Sequence, residues 1–78
     1  MNEVVTHVMR NNTQNKIREY RNKFGFTQQQ LASEVGVTRL TIISIEKRRY
    51  EPTVGLAIKI ATFFGCKVED LFTVEEEN

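Results

Sequence analysis

The chain is poor in the residues that enzymes and metal proteins depend on. It holds one cysteine, Cys66, and one histidine, His7. One Cys and one His do not make a zinc ligand set. The two stand far apart in sequence, which argues against a nucleophile–base pair. No glycine-rich phosphate loop and no spaced metal motif is present, so no enzyme activity is expected and no cofactor or metal is implied. No apolar run approaches the roughly 20 residues of a membrane-spanning helix. The N-terminus carries Glu3 and lacks the basic-then-apolar layout of a secretory signal. A lone cysteine suits a reducing compartment, with the thiol as a small structural residue, and the expected location is cytoplasmic.

What is present fits one small domain: 78 residues, 40% hydrophobic and 27% charged, a size that leaves no room for a second core. The net charge of +1 conceals an asymmetry. Residues 1–50 hold nine Lys/Arg against four Glu, and residues 51–78 hold two Lys against six acids. A basic front half and an acidic back half suggest one face turned toward a polyanion.

Hydrophobic spacing divides the chain into an all-α series of five short helices with no required sheet. Residues 1–12 alternate Val4, Thr6 and Val8 with Val5, His7 and Met9, which suits a short strand or a flexible N-terminal arm. A first helix is expected from a Thr13 cap to about Phe24, with Ile17, Tyr20 and Phe24 on one face and Gly25 as its stop. Thr27 and Gln30 form a capping box for a second helix, preceded by Phe26 as a hydrophobic staple. Leu31, Ala32 and Val35 are its buried stripe, and Gly36 ends it. Thr38 caps a third helix that runs to Lys47 or Arg48. Ile42 and Ile45 share one side of it, with Glu46 nearby. Leu40, Ser44 and Lys47 fall on the other side, flanked by Thr41 and Ile43. Pro52 and Thr53 open a fourth helix over 54–64, closed by Gly65. A fifth, over about 68–72, lacks a good capping residue, since Lys67 stands where Ser or Asp serves better. An acidic tail, 73–78, is expected to fray.

The second and third helices, joined by a tight glycine turn, have the layout of a DNA-binding helix-turn-helix. The segment TQQQLASEVGVTRLTIISIEKRRYEPTVGLAIKIATFFGCKVEDLF strongly resembles the lambda-repressor-like family, the Cro and xenobiotic-response-element class of prokaryotic and phage regulators. The resemblance includes Ile17, Tyr20-Arg21, Gly25-Phe26-Thr27-Gln28, Leu31-Ala32, Gly36-Val37-Thr38, Thr41-Ile42, Ile45-Glu46, Pro52, Lys59-Ile60-Ala61, Gly65 and Asp70-Leu71-Phe72. It covers about residues 15–72 and implies a compact DNA-binding domain over residues 13–72.

An α-helix fits the major groove of B-DNA and turns its N-terminal residues to base edges. A third helix anchored by Ile42 and Ile45 would present Arg39, Leu40, Thr41 and Ser44 to bases. Arg39 suits a bidentate grip on guanine, and Leu40 suits a thymine methyl. Gln28 matches the family's phosphate-clamping glutamine. Thr38 is a further phosphate candidate, and Lys47, Arg48 and Arg49 would follow a DNA strand. Arg48 departs from the family, which often has Gly or Asn there. The family also implies a partly buried salt bridge between Arg21 and Glu46. The expected function is sequence-specific binding of double-stranded operator DNA, as a repressor and a homodimer joined through Ile43, the fifth helix with Phe72, or the Val4–Met9 arm. The alternative is an antitoxin or other protein-interaction module, with a protein partner held by the arm and the acidic tail.

Overall fold

The computed structural model describes residues 13–74. Its elements are β1 (Thr13–Asn15), α1 (Ile17–Phe24), α2 (Gln28–Val35), α3 (Arg39–Glu46), α4 (Val54–Phe64), α5 (Val68–Leu71) and β2 (Phe72–Val74). The five expected helices are all there, close to their expected bounds. The expectations for the Val4–Met9 arm, for His7 and for residues 75–78 lie outside the described residues.

Three local expectations change. Thr13 does not cap α1; it opens β1, and the helix starts four residues later. The first free N–H of α1 is met by Asn15, whose Oδ1 accepts from Ile17 N–H at 3.2 Å. Phe72 does not extend α5, and Thr73 and Val74 do not fray from it: all three form β2. β1 and β2 pair antiparallel, with Thr13 opposite Val74 and Asn15 opposite Phe72. The sheet was not legible because its two strands stand at opposite ends of the domain and, at three residues each, are too short for a period-two pattern to register. Asp70 supplies the cap that Lys67 does not, its carboxylate accepting the Lys67 N–H at 3.0 Å.

Elsewhere local chemistry and fold agree. Thr27 and Gln30 close a complete capping box on α2, at 3.0 and 2.8 Å. Phe26 packs against Phe63, ring centroids 4.8 Å apart, in an aromatic group with Phe64, Tyr20 and Phe24. Burial raises the Tyr20 phenol above its ordinary pKa, and the neighbouring Cys66 and Asp70 push it further the same way. Tyr20 and the Cys66 thiol are both partly buried and pack on the same core.

Ile17, Leu31, Ile42, Ile45, Ile60 and Leu71 are fully buried and come from α1, α2, α3, α4 and α5. Each contributes about 1.5–3 kcal/mol on transfer from water. No helix here is long enough to persist alone, so this shared core holds all five in place. Among the described residues, no helix is long and apolar enough to cross a membrane, and no three His, Cys, Asp or Glu side chains gather as a metal site.

Candidate nucleic-acid interface

α2 ends at Gly36, whose φ of 78° lies in the left-handed region that glycine adopts without steric cost. Val37 N–H then bonds back to the Ala32 carbonyl at 3.0 Å, closing the turn. The extended Thr38 starts α3, its Oγ1 accepting Thr41 N–H at 3.3 Å. Its hydroxyl also meets the Thr41 hydroxyl at 3.2 Å. The turn is thus set by one positive φ and one cap, and it fixes the direction in which α3 leaves α2.

α3 is held from behind. Ile42 and Ile45 are fully buried against the core. The Glu46 side chain is 2% exposed and is bound from several sides. Arg21 grips it with two bonds, Nε to Oε2 at 2.6 Å and an Nη to Oε1 at 3.1 Å. The other Nη of Arg21 donates to the Phe26 carbonyl at 3.0 Å. Arg18 approaches Glu46 at 3.9 Å, and Gln28 Nε2 donates to it at 3.2 Å. Three side chains from α1 and α2 therefore meet at one buried carboxylate of α3. Its negative charge is neutralised inside the protein and does not oppose a polyanion outside.

The front of α3 is different. Arg39 and Leu40 are exposed, Leu40 by 71%, and Thr41 and Ser44 are half-buried beside them. Leu40, Thr41, Ser44 and Tyr50 surround a shallow depression. Sequence reasoning passed over Tyr50. The only signal for it was an aromatic ring within a basic loop, and it is the loop's path after α3 that brings the ring beside the helix. Lys47 and Arg49 are exposed at the far end of α3. Arg48 is exposed too, but its Nε donates to the Thr13 carbonyl at 3.3 Å. The structure thus brings Leu40, Thr41, Ser44 and Tyr50 onto one face, with the exposed Thr38 and Arg39 at the start of the helix and Lys47 and Arg49 at its far end. Gln28 stands at the first position of α2, one amide hydrogen engaged by Glu46.

The helix-turn-helix family model matches residues 17–71, which span all five helices. The chain belongs to this Cro/C1-type helix-turn-helix family. It is a family of DNA-binding transcriptional regulators, not of enzymes. Among its relatives is an uncharacterized HTH-type transcriptional regulator of Methanocaldococcus jannaschii, 51% identical over 63 residues that cover 81% of this chain and 96% of the relative. The Bacillus subtilis HTH-type transcriptional regulator YgzD is 50% identical over 64 residues, 82% of this chain and 97% of its own. In three dimensions the chain is similar to the P22 c2 repressor solved with a synthetic operator. The TM-score is 0.67 at 26% identity, over 69% of this chain and 82% of the repressor. A protein from Bacteroides fragilis shares the fold at a TM-score of 0.71 and 20% identity, over 78% of this chain and 98% of that one.

Proposed function

We propose that this helix-turn-helix protein is a sequence-specific transcriptional regulator, a repressor, that reads double-stranded operator DNA through the major groove with α3. The observation that carries this reading is the two-sidedness of α3. Its back is locked by Ile42, Ile45 and the buried Glu46, and its front holds Arg39, Leu40, Thr41 and Ser44 outward in a fold similar to an operator-bound repressor. Arg39 offers a planar fork to guanine O6 and N7, and Thr41 and Ser44 offer short hydroxyls to neighbouring edges. Thr38, Gln28 and the N-terminal N–H groups of α2 meet phosphates on one flank, and Lys47 and Arg49 on the other.

One domain of this size reads a short half-site, so two copies bind about one helical turn apart. The surface that supports pairing is apolar. Val54 and Ile58 are exposed in a groove lined also by Pro52, Ala57, Val68 and Phe72.

Selection from random duplexes tests the function directly. The expected outcome is a two-fold-symmetric motif whose affinity falls steeply with salt. Arg39→Ala should weaken that motif by about 1–3 kcal/mol and relax preference at one base pair per half-site. Failure to enrich any motif would move the reading to a protein-interaction module.

A further inference from the structure

The C-terminal end of α3 is built differently from those of its neighbours. α1, α2 and α4 each stop at a glycine in left-handed backbone, whereas the chain leaves α3 through Arg48 at φ 62°. The bonding is that of a Schellman closure: Arg48 N–H to the Ile45 carbonyl at 2.9 Å, and Arg49 N–H to the Ser44 carbonyl at 2.9 Å. A residue with a Cβ is disfavoured in that conformation, so an arginine there points to a use for its side chain.

That side chain reaches back to β1, where Nε donates to the Thr13 carbonyl at 3.3 Å. Two residues along the strand, Asn15 Nδ2 donates to the Ile45 carbonyl at 2.9 Å in partly buried surroundings. The Thr13 hydroxyl donates to Glu51, in the loop that leaves α3. Side chains of three residues therefore tie β1 to the last turn of α3 and its exit. β1 is itself fixed, by its pairing with β2 and by Lys16 N–H donating to the Leu71 carbonyl at 2.9 Å just beyond it.

We propose that Asn15 and Arg48 are positioning residues that latch β1 onto the C-terminal end of α3 and set the angle at which the helix presents its front to base edges. The proposal rests on the DNA-reading function above. It gives the Arg48 guanidinium a carbonyl of its own protein, not a phosphate, as its partner. The first turn of α3 is held by the Thr38 cap and its middle by two isoleucines. At its last turn the Ile45 carbonyl accepts the Arg48 N–H and takes the Asn15 amide as a second donor. Anchoring that carbonyl to a paired strand stops the short helix from rocking. Base contacts need hydrogen-bond geometry, whereas phosphate contacts act mainly through charge, so rocking should harm the first far more than the second.

The test compares the full-length wild type with Asn15→Ser and Arg48→Gly. Each is titrated with the selected operator and with an unrelated duplex across a salt series, and each is melted without DNA. Serine keeps an acceptor for the Ile17 N–H but is one bond too short to reach the Ile45 carbonyl. Glycine removes the Arg48 side chain and relaxes the backbone, so the Arg48→Gly protein should fold at least as well as the wild type. Expected for both is operator affinity lower by about tenfold, the order of one impaired bidentate base contact. Affinity for the unrelated duplex should change less than about twofold, with the salt slope unaltered, because the phosphate count is unchanged. If Arg48→Gly weakens both duplexes equally and lowers the slope by about 0.9, Arg48 is a phosphate ligand and the latch is wrong. Wild-type operator affinity in both variants overturns it as well. A wild type that selects no motif removes the DNA-reading function itself, a failure distinct from a motif that the variants bind unchanged.

Discussion

Leu40 is the residue whose exposure most needs a reason. Isolated apolar side chains are common on protein surfaces, but this one stands on the front of α3 beside Tyr50. In the proposed complex the depression between them receives the C5-methyl group of a thymine, which is what distinguishes thymine from uracil. Replacing operator thymines one at a time by uracil should lower wild-type affinity by about 0.8 kcal/mol at one position per half-site, the worth of one buried methyl-sized group. In the Leu40→Ala protein that sensitivity should vanish, as fluorescence anisotropy with the modified duplexes would report. Tyr50 could not be assigned to this face from its neighbours in sequence. Leu40 and Ser44 could, because helical spacing places them opposite Ile42 and Ile45.

Between elements, the knot around Glu46 matters most. α1 supplies Arg18 and Arg21, α2 supplies Gln28, and α3 supplies the carboxylate. Such a group gives little net stability against an apolar replacement, yet removing one partner strands a buried charge. Arg21→Leu alone should therefore cost about 3–5 kcal/mol in chemical denaturation, and Arg21→Leu with Glu46→Leu should recover most of it. If the pair orients α3, the double variant should still bind operator more weakly than wild type. Undiminished affinity in a well-folded double variant would make the pair a matter of folding alone. The caps at Thr27, Thr38 and Thr53 were legible because an N-cap acts within three residues of itself. The caps made by Asn15 and Asp70 were less so. Asn15 serves α1 from within a strand, and Asp70 reaches back from N3 to a lysine that carries no capping oxygen.

At the scale of the whole molecule, the basic front half and acidic back half belong to one small body, and reading two half-sites requires two such bodies. Ile58 is half-exposed and shares a groove with Val54, so a charge placed there should be tolerated by the folded monomer. Ile58→Glu is expected to shift sedimentation to the monomer. Affinity for a two-half-site operator should fall by about 10²-fold or more through lost avidity, with binding to a single half-site little changed. An unshifted sedimentation profile would place the dimer contact elsewhere, with Ile43 or the segment before Thr13 next in line.

The sequence by itself determined the five helices, their order, the glycine turn between α2 and α3, and the two faces of α3. All of these follow from spacing and capping that act within a few residues. It also carried the family, because the matching residues are spread along every helix. Only the tertiary structure decided what depends on residues distant in the chain. It paired Thr13–Asn15 with Phe72–Val74 into a sheet. It brought Tyr50 against the front of α3 and turned Arg48 back to Thr13. It also joined Asn15 to the Ile45 carbonyl. The physical reason is the same in each case. A helix records its faces in its own period, whereas a strand of three residues, or a side chain reaching across the fold, takes its role from a partner that the local sequence does not name.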